Sequence, residues 1–146
     1  MRWTLTVFLP VVFLGAAMGD ASACSCAQPA RALTDGEYKA WTFERATNVV
    51  RGRILDVRAG QDVLRGGQRI VVGKMKAESV VKGEVPLGDL TLLTGFGTGD
   101  CGIASWLLVG IAWQRDMVLE VRRIPELPNE YMVDMCGYGE MTSSPK

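Results

Sequence analysis

The sequence predicts an all-β domain with one minor helix: a small, closed, five-stranded barrel, exported and stapled by disulfides. Three observations carry this. Short runs of branched and aromatic residues recur along the chain between Gly, Pro and Asp breaks. The exported portion is 123 residues long, enough for one domain with one core. All four cysteines lie in that portion, as expected of a chain oxidised after export.

Residues 1–23 (MRWTLTVFLPVVFLGAAMGDASA) have the three parts of a secretory signal. Arg2 forms the charged tip, Trp3–Gly19 the apolar middle, and Ala21-Ser22-Ala23 the small-residue cleavage site. The apolar run is broken by Pro10 and falls short of the roughly 20 residues that a spanning helix needs. Cleavage after Ala23 makes Cys24 the first residue, divides the chain into a signal (1–23) and one domain (24–146), and implies a secreted or periplasmic protein.

Residues 24–35 form an extended lead-in, because Pro29 disfavours helix before it. Glu37–Ala46 is the expected helix, with Asp35 as N-cap and Ala40, Trp41 and Glu44 at helical spacing. Asn48–Arg58 is the first strand, and Gly52 in its middle marks a bulge or bend. Residues 59–69 are polar and turn-like. Ile70–Val81 is the second strand, with Met75, Ala77 and Val81 on one face and Lys74, Lys76 and Glu78 on the other. Asp89–Thr94 is the third. A glycine-rich loop, Gly95-Phe96-Gly97-Thr98-Gly99-Asp100, leads into Cys101. Residues 111–122 are the fourth strand, with Met117, Leu119 and Val121 on one face, and Glu130–Met135 is the fifth, ending at Cys136. Closing these five strands into a barrel removes exposed sheet edges.

Composition excludes several classes of function. The exported part carries 15 basic and 15 acidic residues, so nothing in its charge favours nucleic acid or an anionic membrane. There is no histidine, which removes Ser-His and Cys-His nucleophile pairs, the HExxH zinc helix and any His metal site. No Asp/Glu pair falls at a telling spacing. The expectation is a binding protein, not an enzyme, with no cofactor and no metal of its own. The glycines at 95, 97 and 99 are not a phosphate loop, since no Lys-Ser/Thr follows and no helix is expected after them. Trp41, Trp106 and Trp113 are expected as core or half-exposed packing residues.

The cysteines are Cys24, Cys26, Cys101 and Cys136, and four cysteines allow three pairings. One joins Cys24 to Cys26 across a very short loop. The other two tie the N-terminus to two distant points. A bridge from Cys24 to Cys101 would close a loop of about 77 residues, worth roughly 4–5 kcal/mol in the chain-entropy description.

Cys24-Ser25-Cys26 with Pro29, the strand NVVRGRILDV, Val80–Gly83 (VVKG), Asp100-Cys101-Gly102 and the late Cys136 together resemble the netrin-like domain family, whose best-known members are tissue inhibitors of metalloproteinases. The similarity spans nearly all of the exported chain. It implies an OB-type five-stranded barrel with helical segments, and pairing of Cys24 with Cys101 and of Cys26 with Cys136. It also implies that the Cys24 α-amine and carbonyl oxygen chelate the zinc of a protease, that Ser25 enters the substrate pocket, and that Cys26 with the loop through Gly99 and Asp100 widens the contact. The partner is then a zinc metalloprotease or another extracellular protein. The chain departs from these inhibitors in lacking a third disulfide and the second subdomain.

Three other readings use the same residues. The domain can be structural or adhesive, with the disulfides as staples and no inhibition. Cys24 can be the acylated residue of a lipoprotein, which would anchor the chain to a membrane and leave an odd cysteine. Cys24, Cys26, Cys136, Met132 and Met135 can offer soft ligands to Cu(I), although Met132 and Met135 would face opposite ways on an unbulged strand.

Overall fold

A computed structural model describes residues 24–62 and 67–142. The signal expected at 1–23 lies outside them. The chain runs α1 (Asp35–Arg45), β1 (Val49–Asp62), β2 (Gln68–Lys82), β3 (Gly88–Thr94), α2 (Ala104–Ala112), β4 (Asp116–Glu120), β5 (Arg122–Arg123), β6 (Glu130–Met132) and β7 (Gly139–Met141). The fold is mostly β, as expected. One seven-stranded sheet, in the order β5-β6-β3-β2-β1-β4-β7, curls into a half-barrel with two helices. Seven strands replace the expected five because Val121 interrupts the fourth, and the chain folds one more short strand after Cys136.

β1 and β2 form a long antiparallel hairpin from Val49↔Lys82 to Asp62↔Gln68. Residues 59–62 and 68–69, read as turn-like from their polarity, are paired strand. Polar side chains are tolerated there because that end of the ribbon is mostly exposed. The bend expected at Gly52 coincides with a register shift between Arg51 and Gly52. A side chain at Gly52 would run into the Lys76 carbonyl, with Ala77 Cα only 2.9 Å from its Cβ. The same shift leaves Glu78 without a partner, so alternation along β2 changes phase. Met75 and Ala77 are buried as expected, but Val80 turns toward the core and Val81 is exposed.

Two further departures concern helices. α1 starts earlier than expected, and its N-cap is Thr34, not Asp35. Thr34 Oγ1 accepts from Glu37 N at 3.4 Å, and the Glu37 carboxylate accepts from Thr34 N at 2.9 Å. Its inward residues are Thr42 and Phe43, followed by Ala46 just beyond the helix; Ala40 and Glu44 are exposed. The segment 104–112 is helix, so the strand expected from residue 111 begins only at Asp116. α2 is apolar nearly all round, which hides helical periodicity.

Burial accounts for the arrangement. Val50, Ile54, Met75, Leu90, Leu92, Leu107, Met117, Leu119, Val121, Tyr131 and Val133 belong to the main core. Met117, Leu119 and Val121 share a face, as their spacing predicts. α2 inserts Leu107, fully buried, against Gly73, where a Cβ would meet Leu107 Cδ1 at 3.2 Å. Each such side chain contributes about 1.5–3 kcal/mol of transfer free energy. Val118, on the opposite face of β4, packs with Val49 and Ala46 beneath Phe43 and so seats α1. Ile70, Val72 and Leu93 are covered by Ile124, Leu127 and Met132.

β3 runs parallel to β6, through Leu92↔Tyr131, which requires a long crossover. α2, β4 and β5 occupy that crossover. β4 pairs with β1 and β5 pairs with β6, with Val121 alone between them. One stretch of backbone therefore adjoins both limbs of the curled sheet. This brings the loops after β3 and β6, which carry Cys101 and Cys136, to the same edge.

Candidate functional site

The site grows from that shared edge. β3 ends at Thr94, whose side chain is buried and whose Oγ1 accepts from Ile103 N at 3.0 Å. This bond supplies one capping contact at the start of α2, where Ile103 has no capping side chain. It also pins both ends of the loop between them. A helix thus does follow the glycine-rich segment, contrary to expectation, with Cys101, Gly102 and Ile103 intervening and no Lys-Ser/Thr pair.

Within the loop, Asp100 is the organiser. Its Oδ2 accepts from Phe96 N at 2.7 Å, and its Oδ1 accepts from Gly97 N at 2.8 Å and Gly102 N at 3.2 Å. The amide of Gly97, foremost among these donors, holds the Asp100 carboxyl below its ordinary range, against a smaller opposing effect of burial. The carboxylate is turned onto its own loop, and its oxygens are already engaged by backbone amides. Gly99 is exposed, with open space around its Cα. Cys101 follows in the left-handed conformation, with φ of 60°.

The other limb is built around Asp134. Its Oδ1 accepts from Cys136 N at 3.0 Å, and its second oxygen pairs with Arg122 of β5. Met135 N donates to the Cys101 carbonyl at 3.0 Å. Backbone and side-chain bonds therefore hold Cys101 and Cys136 side by side before any sulfur is considered.

The N-terminal strip closes over this pair. Cys24 is bonded to Cys101 and Cys26 to Cys136, each with Cα atoms 5.1 Å apart. The pairing is the one the family resemblance implies. Alternating residues of the strip divide their roles: Cys24 and Cys26 turn inward and are half-buried, whereas Ser25 between them is exposed. The two disulfides touch, with Cys24 Sγ 3.7 Å from Cys136 Sγ. Beside them lies a groove of about 360 Å³, bordered by Ser25, Cys26, Trp41, Arg45, Cys101 and Arg122. A second depression of about 440 Å³ adjoins it, walled by Tyr38, Trp106, Met135 and Tyr138. Lys39 Nζ, 2.8 Å from Glu140 Oε1, ties α1 to β7 along its rim.

The structure thus brings Cys24, Ser25, Cys26, Gly99 and Asp100 to one edge, but gives Asp100 an internal task. It adds two exposed apolar side chains, Phe96 (45% exposed) and Met135 (39%). It also adds Asp134, for which the sequence offers one signal, an Asp two residues before a cysteine. Of the sulfurs considered for copper, Met132 packs against Ile70, Val72 and Leu93, and Cys24, Cys26 and Cys136 are held in disulfides; among the cysteines, the sulfurs of Cys24, Cys101 and Cys136 lie within 4.8 Å of one another. No free cysteine occurs among the described residues. A disulfide at Cys24 and an acylated Cys24 exclude one another. Trp41 and Trp106 are half-buried, while Trp113 is exposed. No described helix is long and apolar enough to cross a membrane.

A scan against protein-family models finds no match for this chain, and no curated protein matches it.

Proposed function

We propose that the chain is an exported protein-binding module of the netrin-like type, built on a five-stranded OB-type barrel, and that it inhibits a zinc endopeptidase through its processed N-terminus. The barrel assignment rests on strand pairing. Taking β4 and β5 as one strand interrupted at Val121, the pairing runs β1, β2, β3, β6, β5/β4 and back to β1, with β3 and β6 parallel and a helix between the third and fourth strands. β7 is then an addition to the rim.

One observation carries the functional reading: Cys24-Ser25-Cys26 is anchored to two loops by two disulfides, with Ser25 exposed between them. Signal cleavage after Ala23 would place a free amine on an anchored residue. An α-amine with an ordinary pKa of about 7.7–8.0 supplies a neutral nitrogen lone pair near neutral pH. A catalytic zinc keeps one coordination position open for water or substrate. The Cys24 amine and carbonyl oxygen would occupy that centre and displace the water, and Ser25 would enter the adjoining substrate pocket. Prior anchoring lowers the ordering cost of binding. Phe96 and Met135 would supply apolar contact at the flanks.

The test compares the mature protein beginning at Cys24 with a form bearing one extra N-terminal Ala, against a panel of zinc endopeptidases. The mature form is expected to inhibit, and the extended form to lose at least an order of magnitude in potency. Equal potency, or none in either form, removes the chelation mechanism. In the second case the domain is a structural or adhesive module. Intact mass of the exported protein tests the processing: a chain from Cys24 lighter by four hydrogens carries two disulfides, whereas a gain of several hundred daltons is lipid.

A further inference from the structure

We infer that the four sulfurs form one thiol–disulfide exchange centre, in which Cys24 can move its bond from Cys101 to Cys136. This goes beyond any role of the N-terminal amine and stands without it. The two disulfides are neighbours in space although their partners are distant in sequence, and Cys24 Sγ is 3.7 Å from Cys136 Sγ. All four cysteines are half-buried, so none is sealed from solvent. Cys26, Cys101 and Cys136 border the same groove, through which an external thiol can reach them.

The chemistry balances without a net oxidant or reductant. A small thiolate attacks Cys101 Sγ, forms a mixed disulfide there and expels Cys24 as thiolate. The Cys24 thiolate attacks Cys136 Sγ across the existing contact. The bond between 24 and 136 forms, the bond between 26 and 136 breaks, and Cys26 leaves as thiolate. Cys26 then attacks Cys101 Sγ and returns the small thiolate to solution. The thiol is a catalyst, and the product is an isomer paired 24–136 and 26–101.

Loop closure does not choose between the isomers. The bond to Cys136 closes a separation of 112 residues from Cys24 or 110 from Cys26. The closure entropy depends on the logarithm of loop length, so these costs are equal to within a few hundredths of a kcal/mol. Native packing of the strip alone sets the ratio. The isomer shifts Cys24 and Ser25 from the loop after β3 toward the loop after β6, and so re-aims the exposed end of the strip.

Two single substitutions test the contact from opposite sides. In Cys101→Ser the thiol of Cys24 is freed beside Cys136; in Cys26→Ser the thiol of Cys136 is freed beside Cys24. Both should converge on the same new bond, 24–136. Each variant, as the mature chain, is equilibrated at mildly alkaline pH, trapped with N-ethylmaleimide in acid and mapped by peptide fragmentation, between residues 24 and 26 in Cys101→Ser and between residues 101 and 136 in Cys26→Ser. In Cys101→Ser the label is expected on Cys26 within a few-fold of that on Cys24. In Cys26→Ser it is expected on Cys101 within a few-fold of that on Cys136. Label confined to Cys24 or to Cys136 in a folded variant overturns the inference. If neither variant folds, the wild-type protein is equilibrated with trace reduced glutathione. Appearance of the pairs 24–136 and 26–101 supports exchange, and retention of the original pairs alone overturns it.

Discussion

The Lys82 ammonium donates to the Phe43 carbonyl at 2.9 Å and caps the end of α1 from the end of β2. It also donates to the Glu44 carbonyl at 2.8 Å. These are carbonyls of the last helical turn, which lack partners within the helix. A cation there also opposes the negative end of the helix dipole. Lys82→Met keeps most of the stem and removes the donor. It should lower unfolding free energy by about 1–2 kcal/mol, read from urea melts. An unchanged midpoint would mean that water replaces the ammonium without loss.

The other end of α1 reports on acid. Hydrogen bonding to Arg31, then to Thr34, lowers the Glu37 carboxyl from 4.5 to about 2. Its folded value is depressed, so its support for the helix is present above the ordinary value and is lost as pH falls from about 4.5 toward 2. An NMR titration should place the Glu37 midpoint near the lower limit, and Arg31→Ala should raise it. Thr34→Ala removes the reciprocal cap and should cost about 1 kcal/mol.

Asp100 should govern the loop that leads into Cys101. In Asp100→Ala the amides of Phe96 and Gly97 lose their acceptor, while Gly102 N keeps its bond to the Gly97 carbonyl at 2.8 Å. Hydrogen exchange across 95–102 should quicken by about ten- to hundredfold, while β1 and β2 remain protected. The wild-type loop should loosen in acid only as pH falls through the lowered Asp100 value, since its carboxylate is the bound form. Exchange unchanged in the variant would show that the Thr94 contact suffices.

Gly52→Ala tests the bend in β1. The added Cβ would meet the Lys76 carbonyl carbon at 2.8 Å and Ala77 Cα at 2.9 Å, and both are backbone. Relief requires opening the hairpin at its bulge, at a cost of about 3 kcal/mol. Urea unfolding measures it; a loss below about 0.5 kcal/mol, typical of an unremarkable surface site, would place the bend elsewhere.

Removing the Cys24–Cys101 bond as a pair, Cys24→Ser with Cys101→Ser, avoids a thiol that could attack the other disulfide. The loop released spans 77 residues, and the expected loss is about 2–5 kcal/mol. An undiminished urea midpoint would mean that the Cys26–Cys136 bond and the loop contacts suffice to hold the strip.

Sequence patterning located β3 nearly to the residue, because apolar residues recur where both faces are buried. It also located the β1 bend, because a glycine inside a branched run implies close backbone approach. The Met117, Leu119 and Val121 face was equally legible. α2 was not, because an apolar surface all round leaves no 3.6-residue rhythm. Val81 faces solvent, against simple alternation, because a bulge in β2 shifts the register, and nothing in the local residues encodes it. The role of Asp100 as an acceptor for its own loop was not legible, because it depends on how the glycines at 95, 97 and 102 fold around it.

The amino-acid sequence alone determined a β-rich chain of one-domain size, with four cysteines and an extended N-terminal lead-in that carries two of them. Those are properties of composition and local period. Tertiary structure decided which cysteines meet, that their disulfides touch, and that Asp134, Met135 and Phe96 share their edge. Such contacts depend on parallel pairing of β3 with β6 across a long crossover, a relation between segments far apart in the chain that no short window of residues can specify.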